Sequence, residues 1–146
     1  MTDPFDLKRF VRAQEPVFRA VLGELAGGRK QTHWMWFVFP QVAGLGFSAM
    51  SQRYAIGSRA EAKAYLAHPI LGPRLIECTG LVLAAEDRIY GSSLDAPDDA
   101  KFRSSMTLFD TVSDEPIFGE ALARYFAGEP DGATLEILAS LDQEAR

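Results

Sequence analysis

Apolar positions along this chain recur mostly at the spacing of helices. Phe5, Leu7, Phe10 and Val11, then Val17, Phe18, Val21, Leu22 and Leu25, fall so that each set shares one helical face. Two helices are predicted, near 5–14 and 16–26. Pro16 belongs in the first turn of the second, where a missing N–H costs nothing, and Gly27-Gly28 ends it in the left-handed geometry that glycine favours. Ser58 with Glu61 makes a Ser-x-x-Glu capping box that opens a helix to about Ala67. His68-Pro69 starts the next, with Leu71, Leu75, Ile76, Cys78, Thr79, Val82 and Leu83 on one broad face. Pro73 is tolerated there only if the helix begins close to it. Pro97-Asp98-Asp99 gives an acidic first turn, suited to the macrodipole, for a helix running through Phe109. Asp114-Glu115-Pro116 opens another that Gly128 closes, and Thr134 starts the last.

Two stretches resist that period. Residues 34–39, WMWFVF, are apolar on every side, so periodicity alone assigns neither helix nor strand. Pro40 then turns the chain away from helix at Phe39. Gly44-Leu45-Gly46 reads as a turn, and Phe47 to Tyr54 as a short helix capped by Ser48. Tyr90 to Pro97, rich in Gly, Ser, Asp and Pro, reads as a loop. The sum is an all-α fold of about six to eight helices, with at most a small β element. At 146 residues, with no internal repeat and no dividing linker, residues 1–146 are expected to form a single domain.

Composition adds limits rather than an activity. With 47% hydrophobic and 24% charged residues, the chain has the make-up of a packed globule, not of a disordered segment. One cysteine, Cys78, leaves no internal disulfide and no cysteine-only metal site, and suits a reducing cytoplasm. The acidic start, Met1-Thr2-Asp3-Pro4-Phe5-Asp6, is not the basic, then apolar, start of a secretory signal. No apolar run approaches the ~20 residues of a spanning helix, so no membrane insertion is expected. A net charge of −5 argues against nucleic acid as a partner, unless Arg29, Lys30, Arg53, Arg59, Lys101 and Arg103 converge into a basic face.

Four segments carry a resemblance. They are Gly28 to Gln41 (GRKQTHWMWFVFPQ), Gly44 to Ser48 (GLGFS), Ala64 to Gly72 (AYLAHPILG) and Ser104 to Phe109 (SSMTLF), preceded by Asp3-Pro4-Phe5-Asp6-Leu7. In that order they resemble the bacterial family known as domain of unknown function 1810. The resemblance covers nearly the whole chain and implies a mainly helical, compact orthogonal-type bundle, the fold of a small group founded by a mycobacterial structure. It implies no established activity and leaves any cofactor unknown. Some members carry the automatic label calpastatin, the name of a disordered protease inhibitor, which a packed composition such as this one does not support.

Three clusters of side chains have chemistry to offer, each beside a plainer reading. His33, Trp34, Trp36 and Gln41 combine aromatic faces with polar hooks, the mixture that lines pockets for planar ligands. Equally, WMWFVF is a core segment with His33 at its edge. Ser48, Ser51 and Tyr54 place three hydroxyls at helical spacing after a Gly-x-Gly turn, or simply form a capped helix. Lys101 and Ser105, four apart, share a face able to hold an anion, whereas Asp98 and Asp99 are near enough to pair with Lys101 and Arg103 instead. His33 is the one candidate general base, without a neighbouring carboxylate to orient it. His33 and His68 lack metal-ligand spacing, and no nucleophile elbow is present. The expectation is a small-molecule pocket, for a nucleotide-like or other polar metabolite, built from residues 33–54 and 101–107. The alternative is a noncatalytic regulatory or protein-interaction domain, its partner unspecified.

Overall fold

The computed structural model of the protein describes residues 3–28, 31–84 and 98–144. Among them are nine α-helices: α1 (Lys8–Gln14), α2 (Phe18–Ala26), α3 (Met35–Val38), α4 (Ala49–Arg53), α5 (Arg59–Ala67), α6 (Leu71–Ala84), α7 (Asp98–Thr111), α8 (Pro116–Phe126) and α9 (Gly132–Glu144). The sole pairing of extended chain among the described residues is an isolated parallel bridge between Val42 and Ile56. The fold is therefore all-α. The helix beyond the expected eight is α3, four residues inside the run that periodicity left unassigned. The loop expected at 90–97 lies outside the described residues, as do Arg29 and Lys30.

Local signals set most helix ends. Ser48 caps α4 by accepting from Ser51 N, and Ser58 caps α5 by accepting from Glu61 N. At the head of α6, His68 Nδ1 accepts from Ile70 N and Leu71 N at 3.1 and 3.3 Å, and Pro73 falls in the first turn. α6 begins at Leu71, past the expected start at His68-Pro69, and three other boundaries differ from expectation. The first helix begins at Lys8 because Asp6 is left-handed (φ 52°), and the Asp3 carboxylate accepts from Leu7 N and Lys8 N there. Those two backbone hydrogen bonds, that from Lys8 first, hold the Asp3 carboxyl below its usual range. Pro16 stands in the turn before α2, ahead of Val17 at the cap, rather than in the helix. The last helix starts at Gly132, not Thr134, because Asp131 supplies the cap: its Oδ2 accepts from Thr134 N at 3.0 Å and Thr134 Oγ1 at 2.6 Å.

The packing is organised around α7, which touches α3, α5, α8 and α9. Phe102 and every residue from Ser104 to Phe109 are buried. A helix buried on nearly all sides needs small residues where neighbours approach, and it must silence their polar atoms. Ser104, Thr107 and Thr111 do so by donating to carbonyls one turn back. Rings join the layers: Phe102 meets Phe39 edge-on with centroids 5.0 Å apart, and Tyr65 links Phe10, 5.1 Å away, to Phe109 at 5.4 Å. Each fully buried Phe contributes about 1.5–3 kcal/mol of transfer free energy.

Two polar hubs hold α1 to this core. Arg9 donates to the carbonyls of Phe5, Asp6, Arg53 and Ala55 and pairs with Glu61 at 2.9 Å, its guanidinium 4.4 Å from the Phe10 ring centroid. Buried Gln14 donates to Phe37 O at 2.6 Å and Tyr65 Oη at 3.1 Å, and accepts from Arg74. No helix among the described residues is long and apolar enough to cross a membrane.

Candidate functional site

The segment from Gln31 to Gln41 is fastened at its start by one carboxylate. Glu24 Oε1 accepts from Gln31 N, Thr32 N and Trp34 Nε1 at 2.7, 3.0 and 2.9 Å, and Oε2 from Thr32 Oγ1 at 2.7 Å. Burial pulls its carboxyl upward, but the hydrogen bonds from Gln31, Thr32 and Trp34 outweigh that and hold it at about 2. Trp34 is thereby drawn into the core, 1% exposed, against Phe39. Two residues on, a helix has turned by roughly 200°. Trp36 accordingly leaves the core side and is half-buried, with the Lys101 ammonium 5.1 Å from its ring centroid.

Beyond Pro40 the chain is pinned to the stretch before α5. Ile56 N donates to Gln41 O at 2.9 Å and Ala43 N to Ile56 O at 2.8 Å. The chain then doubles back through Gly44 (φ +103°) and Gly46 to Ser48. A Cβ on Gly46 would sit 2.6 Å from Ser51 Oγ, so only glycine lets this loop lie against α4. Ser48 and Ser51 hold their hydroxyl oxygens 2.7 Å apart.

Loop and helix ends enclose a groove of about 560 Å³. Its first wall is Trp36, Gln41, Leu45, Gly46, Phe47, Ser48 and Ser51; its second is Ala100, Lys101 and Ser104 of α7, with Asp131 and Ala133 at the head of α9. Gln41 Nε2 spans the two walls by donating to Ser104 Oγ at 2.6 Å. Lys101 lies 3.8 Å from Asp98 Oδ1. Phe47 is 86% exposed, the most exposed of the large apolar side chains described.

Trp36, Gln41, Ser48, Ser51 and Lys101, singled out from the sequence, thus meet in one place. The structure leaves the other four elsewhere. Trp34 is core, with its N–H on Glu24. Tyr54, the residue that ends α4, turns inward against Phe10 and Phe37. Ser105 is fully buried, its hydroxyl without a hydrogen-bond partner, and its neighbour Ser104 takes the groove position. His33 is exposed on a bend outside the groove lining. Leu45, Phe47, Asp131 and Ala133 also line the groove, though none stood out as a site residue in the sequence. Asp131 had a local signal, an Asp three residues before a Thr at a helix start; Phe47 had none.

The remaining candidate chemistry is spent on packing. Arg59 pairs with Asp142 at 2.8 Å, and Arg103 reaches Glu129 and its carbonyl. With Lys101 beside Asp98, three of the six cations considered for a basic face lie against carboxylates. Burial pushes the Cys78 thiol up to about 12, leaving it protonated and inert at neutral pH. Among the described residues, no group of three or more His, Cys, Asp or Glu is placed to hold a metal ion.

Residues 4–138 match the family described as "Protein of unknown function (DUF1810)". Among solved structures, the chain is similar to the conserved hypothetical protein Rv1873 from Mycobacterium tuberculosis. The identity is 54% over 94% of this chain and 99% of that one, with a TM-score of 0.92. Among curated proteins no match is found.

Proposed function

The chain belongs to the DUF1810 family, a family of unknown function, and from that premise we propose that the groove between the 41–51 loop and α7 binds a small, polar, nucleotide-like metabolite. One observation carries the reading. Five side chains from three separate stretches, Trp36, Gln41, Ser48 with Ser51, and Lys101, converge on a single concavity of about 560 Å³. That volume is within the range of about 300–1,000 Å³ usual for ligand sites, and an aromatic face beside a few polar groups is the usual lining. No reaction is assigned, because His33, the candidate base, is not part of the lining.

The test is a thermal-shift panel of nucleotides, nicotinamide derivatives and small metabolites, run on the protein and on a Trp36→Leu, Lys101→Ala double variant. A ligand at a hundred times its dissociation constant stabilises the native state by about 2.7 kcal/mol, a shift of several degrees for a domain of this size. The double variant should lose it. A shift that persists undiminished in the variant would place binding elsewhere and refute the reading. The second reading, a noncatalytic protein-interaction domain, is favoured by the exposed Phe47 in the groove lining and Met50 on α4. It predicts no small-molecule response.

A further inference from the structure

Apart from Lys101, the hydrogen-bonding side chains of the groove are one-sided. Ser104 Oγ lies 3.3 and 3.1 Å from the carbonyls of Ala100 and Lys101, so its single proton points back into α7. Toward Gln41 it can only accept, which fixes the amide: Nε2 donates to Ser104, and Oε1 is the end left over, with no hydrogen bond among the described residues. Ser48 and Ser51 behave alike. The arrangement that satisfies both their contacts has Ser51 donating to Ser48 O, 3.1 Å away, and Ser48 donating to Ser51 Oγ. Both protons are then used and lone pairs remain. Asp131 adds a carboxylate whose Oδ1 is likewise without a hydrogen bond among the described residues. Against this stands one lining cation, Lys101, already beside Asp98 and over Trp36.

A phosphate or carboxylate offers only acceptors and negative charge. Among the groove's side chains it would meet oxygen lone pairs and Asp131, with Lys101 half engaged elsewhere. A ligand rich in N–H donors and without charge fits the same wall. The apolar lining points to its shape. Trp36 lines the groove with Lys101 over its ring, and Phe47 on the same groove is left almost wholly in water, a position that favours covering by another flat ring. We infer that the groove takes an uncharged planar heterocycle carrying N–H donors, of the amino-substituted nucleobase or carboxamide type. It stacks on Trp36 and Phe47 and gives an N–H to Gln41 Oε1. Phe47 and Gln41 are then the specificity-determining residues: recognition reads the ring and its amino group, and any phosphate is incidental. The inference rests on the groove being a small-molecule site and narrows its ligand class.

Three sets of probes separate the outcomes, read by melting temperature and quenching of tryptophan emission. Adenosine, guanosine, cytidine and nicotinamide carry both ring and N–H donor. Purine riboside and 3-acetylpyridine keep the ring of adenosine and nicotinamide but lack the donor. Ribose 5-phosphate lacks the ring. At least one probe of the first set should bind, and its donor-free analogue about tenfold more weakly. Phe47→Ala should weaken that binding about fivefold or more, with the melting temperature of the free protein unchanged, since the side chain is exposed. Gln41→Leu should erase the preference for the N–H-bearing member of the pair, which a merely structural role would not do. Binding of ribose 5-phosphate alone, lost in Lys101→Ala, would keep the site and overturn the ligand class. So would equal affinity for the paired analogues, or indifference to Phe47→Ala. Failure of all probes at millimolar concentration would overturn the site itself.

Discussion

Glu24 offers the sharpest check on the energetics. Its carboxylate accepts four hydrogen bonds from Gln31, Thr32 and Trp34, and these hold its pKa at about 2, against an ordinary 4.5. Without screening, a displacement of that size corresponds to about 3 kcal/mol. The group is only partly buried, so solvent reduces this to about 1–2 kcal/mol. The sign follows from linkage. A carboxyl whose folded pKa is depressed stabilises the native state fully above its unfolded pKa and loses that stabilisation as pH falls through the folded one. Glu24→Gln removes the charge and turns an N–H₂ toward donors. Urea denaturation of both proteins at pH 7, 4 and 2.5 should show the variant less stable by about 1–2 kcal/mol at pH 7, with the gap narrowing below pH 4.5. A difference that does not change with pH would refute the assignment, because it would mean the loss is packing and not charge.

Two further outcomes follow from buried groups. Cys78, with its thiol raised to about 12 by burial and its side chain in the core, should resist a thiol-specific reagent in the native protein and react fully in denaturant. Rapid native labelling would contradict its place on the inner face of α6. Gly72→Ala should cost about 1–3 kcal/mol by overpacking, since a Cβ there runs into the Leu66 carbonyl where α5 turns into α6. An unchanged melting temperature would show that this corner is looser than described.

What could be read ahead of the structure divides by physical range. Caps act over three or four residues, so Ser48, Ser58 with Glu61, and Pro116 announced their helices correctly. The capping box held in outline, although Glu61 reaches past Ser58 to accept from Gly57 N at 2.9 Å. α3 escaped because an all-apolar run carries no period. Which way a helix turns its faces is a long-range matter, and there local reasoning missed. Lys101 stands three residues from Ser104 and four from Ser105, so both share its side. The approach of Gln41 selects the first, while packing closes over the second. Tyr54 broke the three-residue series of Ser48 and Ser51 because it already stands at the end of α4. The pairing of Trp34 and Trp36 in one cluster failed for a simpler reason. Residues two apart on a helix look in opposite directions, and Glu24, ten positions upstream, decides which indole goes inward.

Arg9 ties together parts of the chain that are far apart in sequence. Its guanidinium gathers the Phe5 and Asp6 carbonyls ahead of α1, those of Arg53 and Ala55 behind α4, and the Glu61 carboxylate on α5. A clamp of this kind makes three otherwise separate segments open as one. Opening of the turn ahead of α1 should therefore reach the stretch that seats the groove's loop. The amides of α1 and of residues 55–57 should exchange with solvent at a common rate, as parts of one cooperative unit rather than as a loose end and a loose loop.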